Sequence, residues 1–249
     1  MEKQLTVGSL FAGIGGFDLG FQRAGYKIQW QVEIDPFCRK VLAKHFPEAE
    51  RYEDVRAVGK SNLVPVDVLC GGFPCQDISV AGKGAGIEEG TRSGLWIEFA
   101  RIIGEIRPRY VVVENVRALL SRGMFRVLGD LSALGYDSEW RTLRASSFGL
   151  LGKRERVWIV AYPHSDGLQR IKQWVPENTY RGDFDAETLP PFSLQDPRIK
   201  NLLPAPHVIG KKDGVPDRVD RTRACGNSVV PQIPEWIANQ ILKYEGLYE

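Results

Sequence analysis

The chain of 249 residues is poor in several things, and each shortage excludes something. It has four cysteines, Cys38, Cys70, Cys75 and Cys225, with no CxxC pair among them. So few thiols in a chain this long are not a disulfide framework, and a reducing compartment would leave them free. Its three histidines, His45, His164 and His207, are scattered, which argues against a zinc site of the common spacings, and no metal is expected. No apolar run approaches the roughly 18 residues that a membrane-spanning helix requires. Neither sign of charge dominates: 33 basic residues stand against 31 acidic ones, a net charge of +2. A polyanionic partner must therefore be met by local clusters, not by a global field. The opening stretch, MEKQLTVGSLFAGIGG, shows no apolar core ahead of a cleavage site, so a cytoplasmic location is expected. No sustained heptad pattern is visible, and the chain is expected to be a monomer.

What is present is a globular composition, 43% hydrophobic and 26% charged, in a chain long enough to bury a sizeable core. Strand-like runs at Leu5–Phe11, Ile28–Glu33, Val66–Cys70, Tyr110–Glu114 and Val157–Tyr162 alternate with helix-like segments. Those segments are Gly16–Ala24, Pro36–Phe46, Leu95–Ile106 and Met124–Leu134. Such alternation predicts a doubly wound α/β sheet of the Rossmann type. The continuously apolar Tyr110-Val-Val-Val suits a strand buried on both faces. Asp35 and Pro36 read as the N-cap and first position of a helix.

From 162 to 223 the texture changes, and these 62 residues hold 8 of the 15 prolines. Basic and aromatic residues interleave there, and periodicity fades, so the segment reads as a small loop-rich insertion. Patterning returns in GNSVVPQIPEWIANQILKYEG, where Pro234 would open a last helix with Ile237 and Ile241 on its apolar face. Residues 1–161 with 224–249 are thus read as one α/β unit, and 162–223 as a small loop-rich insertion.

Three constellations carry chemistry. Phe11-Ala12-Gly13-Ile14-Gly15-Gly16 follows a strand and opens a helix, so its backbone can approach a ligand closely. Glu33 lies 20 residues beyond Gly13 at the end of the next strand, where a ribose hydroxyl needs an acceptor. This pattern fits a nucleoside cofactor without separating NAD from S-adenosylmethionine, and a plain strand-to-helix turn is its rival. The second is Gly71-Gly-Phe-Pro-Cys75, past the end of a strand, with a glycine-rich stretch behind it. Inert packing is the usual fate of a lone cysteine, but ligands of open α/β sheets sit at such strand ends. Cys70, inside the strand, reads as a small buried hydrophobe. The third joins Glu114-Asn115-Val116, at the end of a central strand, to Arg154 and Arg156, whose alternate spacing points both to one side of an extended segment.

In order, LFAGIGGFDLGF, VEIDP, GGFPCQDISVAGKGAG, ENV, GKRERVWIV and GNSVVPQI make the chain resemble the DNA cytosine-C5 methyltransferases over Leu5–Leu151 and again from Cys225. The resemblance implies a class I S-adenosylmethionine-dependent fold. It also implies methyl transfer to C5 of a flipped cytosine in double-stranded DNA, at a short sequence, through a Cys75 adduct at C6. Carried over, Phe11, Ala12, Gly13, Ile14 and Gly15 are the turn for S-adenosylmethionine. Glu33 is its ribose acid, Ile34 packs beside the adenine, and Asp54 and Val55 contact it. Pro74, Leu95, Asn227 and Val229 complete the pocket. Cys75 is the nucleophile, Glu114 the base-recognising acid, and Arg154 and Arg156 sit near the cytosine. The loop residues Gln76, Ser79, Lys83 and Arg92 would meet DNA, as would Arg170, Lys172, Trp174, Arg181, Lys211 and Lys212 of the insertion.

The resemblance makes 1–161 with 224–249 the catalytic and cofactor-binding domain and 162–223 a target-recognition region, short for that job. Asp213-Gly-Val-Pro-Asp-Arg-Val-Asp-Arg-Thr-Arg-Ala stands in place of the family's usual arginine- and glutamate-bearing helix, as in compact phage and prophage enzymes, and Gly152 stands where many relatives carry a glutamine. A small reading region implies a target of about two to four base pairs. A tRNA cytosine methyltransferase on the same scaffold and a catalytically inactive DNA-binding relative are the alternatives. A nicotinamide oxidoreductase leaves GFPCQ unexplained.

Overall fold

The computed structural model describes residues 4–74, 95–149, 154–164, 171, 174 and 224–247. Their core is a seven-stranded sheet of β1 (Thr6–Leu10), β2 (Lys27–Val32), β3 (Glu50–Tyr52), β4 (Val68–Gly71), β5 (Tyr110–Val116), β6 (Tyr136–Arg144) and β7 (Glu155–Pro163). The spatial order is β3-β2-β1-β4-β5-β7-β6. β1 to β5 pair in parallel, β7 runs antiparallel to β5, and β6 antiparallel to β7, so β7 alone is reversed. The switch point falls between β1 and β4, where successive strands leave in opposite directions. Ligands of open α/β sheets bind at the carboxyl ends beside such a point.

Helices cover both faces: α1 (Gly16–Arg23), α2 (Pro36–His45), α3 (Leu95–Ile106), α4 (Leu119–Arg122), α5 (Met124–Ala133) and α6 (Gln232–Tyr244). One face packs α3 and α5 through Trp96, Phe99, Ile102, Val127 and Leu131 against Leu69, Val111 and Val113. The other packs α1, α2 and α6 through Phe17, Phe21, Leu42, Ile237 and Ile241 against Val7, Val68 and Val112. Strands buried on both sides need apolar residues at every position, which is why the triple valine of β5 has no polar alternate.

The helix starts are local chemistry. Asp35 caps α2, its carboxylate accepting from the backbone N–H groups of Phe37 and Cys38 at 2.8 and 3.2 Å, with Pro36 at the first position. Gly20 lets α6 approach α1 so closely that a Cβ there would come within 2.5 Å of the Pro231 carbonyl oxygen.

The expected strands and helices all form, and two strands appear that the sequence pattern did not suggest, β3 and β6. Both are the edges of the sheet. An edge strand is not covered on both faces and so lacks a solid apolar run. One expectation is overturned: Trp174, placed among residues facing DNA, is buried with Ile171 in the α1/α6 core. Two apolar side chains at spacing three pack inward, so this part of the insertion belongs to the core.

Candidate active site

The glycine turn begins with strain. Phe11 has a φ of 53° and is followed by Gly13 at 57° and Gly15 at 87°, so the chain turns sharply off β1 before α1 starts. A left-handed backbone costs a non-glycine residue about 1–2 kcal/mol. Contacts hold it: the Phe11 ring lies 6.3 Å from that of Phe99, and Ala12 N–H donates to the Val32 carbonyl at 3.1 Å. Glu33 fixes the turn from β2. One carboxylate oxygen accepts from Gly13 N–H and the other from Asp35 N–H, each at 2.7 Å. Beside it the Ile34 side chain is 67% exposed, an unusual position for an isoleucine next to a sheet end. Among the described residues, its two chain neighbours aside, nothing lies within 4 Å of where a Gly13 Cβ would stand.

Asp54 caps a short 3-10 turn, accepting from Arg56 N–H at 3.0 Å, and Val55 is buried behind it. Leu95 and Pro74 are half-buried at the ends of α3 and of the β4 loop. From the C-terminal segment Val229 lies on Gly16 so closely that a Cβ there would stand 2.5 Å from the Val229 carbonyl oxygen. Asn227 is exposed in the helical turn at 224–227. The open space beside Gly13, next to the Glu33 carboxylate and the exposed Ile34 side chain, suits a nucleoside.

The second centre forms around Glu114. β5 and β7 pair Glu114 with Trp158 and Val116 with Arg156, which brings the carboxylate and the arginines to one sheet end. Arg156 Nε stands 3.1 Å from Glu114 Oε1. Glu114 is 8% exposed, and burial pushes its carboxyl up to about 7, with Arg156 and Arg154 pulling it partly back. Loss of solvent outweighs ion pairing here, the usual result when two charges leave water together. Arg154 is lowered from its ordinary value, first by burial and then by the Arg156 charge. It donates to the Gly226 carbonyl at 2.9 Å, tying this end of β7 to the C-terminal segment. Glu114, Arg154, Arg156, Trp158 and Ile233 line one small cavity. Between the two arginines Glu155 turns the other way, to Arg117 at 3.1 Å and Arg144 at 3.3 Å.

Cys75 lies outside the described residues, as do Gln76, Ser79, Lys83, Arg92, Arg170, Lys172, Arg181, Lys211 and Lys212. The segment leading to Cys75 is described. Asn115 Nδ2 donates to the Phe73 carbonyl at 3.1 Å, in a buried contact. A Cβ at Gly72 would stand 3.0 Å from Glu114 Oε2. Residues 72 and 73 thus run against Glu114 and Asn115, two positions short of the cysteine. Asn115, named in the sequence only as the neighbour of Glu114, is what ties β5 to the segment leading into Cys75. Its signal was its place directly behind Glu114 at a strand end, where an amide can reach a neighbouring loop.

Among known families, the model for C-5 cytosine-specific DNA methylase matches residues 5–213. A Type II methyltransferase, M.HhaI of Haemophilus parahaemolyticus, is 32% identical over 219 residues, 85% of this chain and 63% of its own. M.NgoBI of Neisseria gonorrhoeae is 36% identical over 79% of this chain and 63% of its own, and M.Eco47II of Escherichia coli 44% over 66% and 41%. The chain spans 41–63% of the length of these three relatives. Among solved structures, a prophage-encoded E. coli protein described as a DNA modification methyltransferase superposes with a TM-score of 0.57 at 26% identity, over 71% of this chain and 52% of its own. Spodoptera frugiperda DNMT2 does so at 0.55 and 19%, over 66% and 51%, a likeness of fold. The sheet order and its single reversed strand are those of the class I, Rossmann-like methyltransferase fold. On the family match across most of its length, the chain belongs to the C-5 cytosine-specific DNA methylases.

Proposed function

We propose that the protein transfers a methyl group from S-adenosylmethionine to C5 of a cytosine in double-stranded DNA, within a short recognition sequence. The observation that carries this is the buried Glu114 carboxyl, paired with Arg156 and set against the backbone that leads into Cys75.

Cytosine C5 is a weak nucleophile. Addition of the Cys75 thiolate to C6 makes the ring an enamine and moves electron density to C5. That density develops with charge at N3, and a proton donor there lowers the barrier. With its carboxyl pushed to about 7, Glu114 holds such a proton near neutral pH, which an ordinary carboxylate does not. Arg156 orients the carboxyl, and Arg154 and Arg156 offer donors to the base carbonyl or a nearby phosphate. Once C5 has taken the methyl carbon in place of the sulfonium sulfur, loss of the C5 proton to solvent water and departure of the thiolate from C6 restore the aromatic ring. A base inside a duplex cannot be reached by these groups, so the cytosine must leave the stack, at a cost of a few kcal/mol.

The residues of the glycine turn fit the cofactor, because Gly13 leaves open space beside Glu33 and Ile34 stands exposed next to it. S-Adenosylmethionine supplies, when bound, a methyl group activated by its attachment to a sulfonium. Glu33 would accept from the ribose, Ile34 would cover the adenine, and Asp54 and Val55 would bound its edge. Gln76, Ser79, Lys83 and Arg92 would contact the DNA, with Arg170, Lys172, Arg181, Lys211 and Lys212 as backbone or base contacts.

The test is nucleoside mass analysis after incubation with S-adenosylmethionine and unmethylated duplex DNA, with tRNA and Cys75→Ser run in parallel. C5-methylcytosine in DNA that vanishes in Cys75→Ser is the expected result. Product on tRNA alone moves the substrate to RNA. No product on either, from folded protein that binds the cofactor, overturns the enzymatic reading.

A further inference from the structure

Beneath the glycine turn lies a buried polar cluster that the reaction does not use. Asp18, in the first turn of α1, is fully buried. Its carboxylate accepts from Gln31 Nε2 at 2.8 Å on one oxygen and from Ser9 Oγ at 3.2 Å on the other. Ser9 and Gln31 are themselves fully buried. Burial pushes the Asp18 carboxyl up to about 6, with the hydrogen bonds from Gln31 and Ser9 pulling it partly back. Cys70 on β4 feels the Asp18 charge, and its thiol is held well above the usual value, chiefly by its own burial.

The placement gives the cluster a purpose. Ser9 is two residues before Phe11, where the turn begins, and Gln31 is two residues before Glu33, whose carboxylate pins Gly13. Asp18 stands on the helix that the turn opens. One carboxylate therefore joins the strand entering the turn, the helix leaving it and the strand that carries the ribose acceptor. A buried carboxyl group in such a place is a poor device for stability, because well-packed apolar side chains of similar volume serve as well or better. Directed hydrogen bonds, in contrast, fix separations that apolar contacts leave loose.

We infer that Asp18 is a positioning residue for the cofactor, setting the distance between the glycine turn and Glu33 through Ser9 and Gln31. This rests on the reading of that end of the sheet as the S-adenosylmethionine site. Misplacement of binding groups by about 1 Å is enough to cost as much as a hundredfold.

Calorimetric titration of S-adenosylmethionine into wild type, Asp18→Ala, Asp18→Asn and Gln31→Met tests it, with thermal midpoints measured on the same samples. Leu131→Ala, in the core on the opposite face, serves as a control of matched stability loss. Asp18→Ala should weaken cofactor binding tenfold or more, and Gln31→Met should weaken it severalfold. Asp18→Asn, which can still accept from Gln31 and meet Ser9, should bind within about threefold of wild type. Leu131→Ala should lose midpoint and keep its affinity. If Asp18→Ala does not fold, Gln31→Met decides. Affinities of Asp18→Ala and Gln31→Met within twofold of wild type overturn the inference, as does an equal loss in Leu131→Ala. A wild-type protein that binds no cofactor overturns instead the reading of the site.

Discussion

Glu33 and Glu114 stand at the same edge of one sheet in opposite circumstances. Glu33 is partly exposed, and each of its oxygens accepts a backbone N–H. Glu114 is buried, faces two arginines, and has its carboxyl pushed up to about 7. The first is a fixed acceptor, built from residues within about 20 positions of one another. The second is a group poised to hold or release a proton, assembled from residues 114, 154, 156 and 226. On the proposed function, the Glu33 end would serve the cofactor by position, and the Glu114 end would serve the base by protonation.

The widest separation should come from Glu114→Gln beside Glu33→Gln. The Glu114 variant should lose about 10²–10⁴-fold in methyl transfer, the typical worth of a positioned proton donor, with cofactor affinity unchanged. The Glu33 variant should show the reverse, a weaker cofactor constant with most of the rate regained at saturation. Equal effects on both constants in both variants would erase the comparison. Wild-type transfer should also fall as pH rises through about 7, as Glu114 loses its proton. Stability follows the same sign. The folded value is raised from 4.5, so the stability gained from Glu114 is full below that and lost as pH rises through about 7. The loss is of order 3 kcal/mol, and Glu114→Gln should flatten it in chemical denaturation across pH 5–8.

A smaller effect tests the joint between the two ends. Gly16 lies under Val229, and a methyl at that position would stand 2.5 Å from a backbone oxygen. Gly16→Ala must push the C-terminal segment off α1, at about 1–3 kcal/mol. That segment also meets Arg154 through the Gly226 carbonyl. Gly16→Ala should therefore lower the thermal midpoint by several degrees and weaken both cofactor binding and transfer. An effect confined to the cofactor constant would mean that the two ends do not share this strap.

How much of this was legible depends on how many chain neighbours each feature involves. The buried strands announce themselves as apolar runs, and α2 by its Asp35–Pro36 start. The glycine turn and Glu33 are one short motif, and their contact follows the spacing. β3 and β6 were illegible because an edge strand mixes polar residues into both faces, as Asp137, Ser138, Glu139 and Arg141 do in β6. Trp174 was misread because a tryptophan among basic residues looks the same facing DNA or facing the core; only packing against Ile171 and its neighbours decides. The Asn115 contact and the Asp18 cluster depend on partners 42 and 9–13 positions away; the strand-end place of Asn115 hints at a contact without naming its partner, and nothing in the local pattern of Asp18 singles it out.

The finest test lies at Gly13, where open space and backbone conformation act separately. Its φ is +57°, and among the described residues, its two chain neighbours aside, no atom stands within 4 Å of a Cβ built there. Gly13→Ala therefore meets no clash, and its cost to the free protein is the left-handed strain alone, about 1 kcal/mol. The methyl would nevertheless project into the space beside Glu33 assigned to the cofactor. A small loss of thermal midpoint with a cofactor constant weakened about tenfold or more would place the ligand against this residue. The strain is present with and without ligand and cancels in binding, so a cofactor constant within about twofold of wild type would put the ligand elsewhere along the carboxyl end of the sheet. Transfer at saturating cofactor should stay near the wild-type rate, because Glu114 and its arginines are untouched by the change.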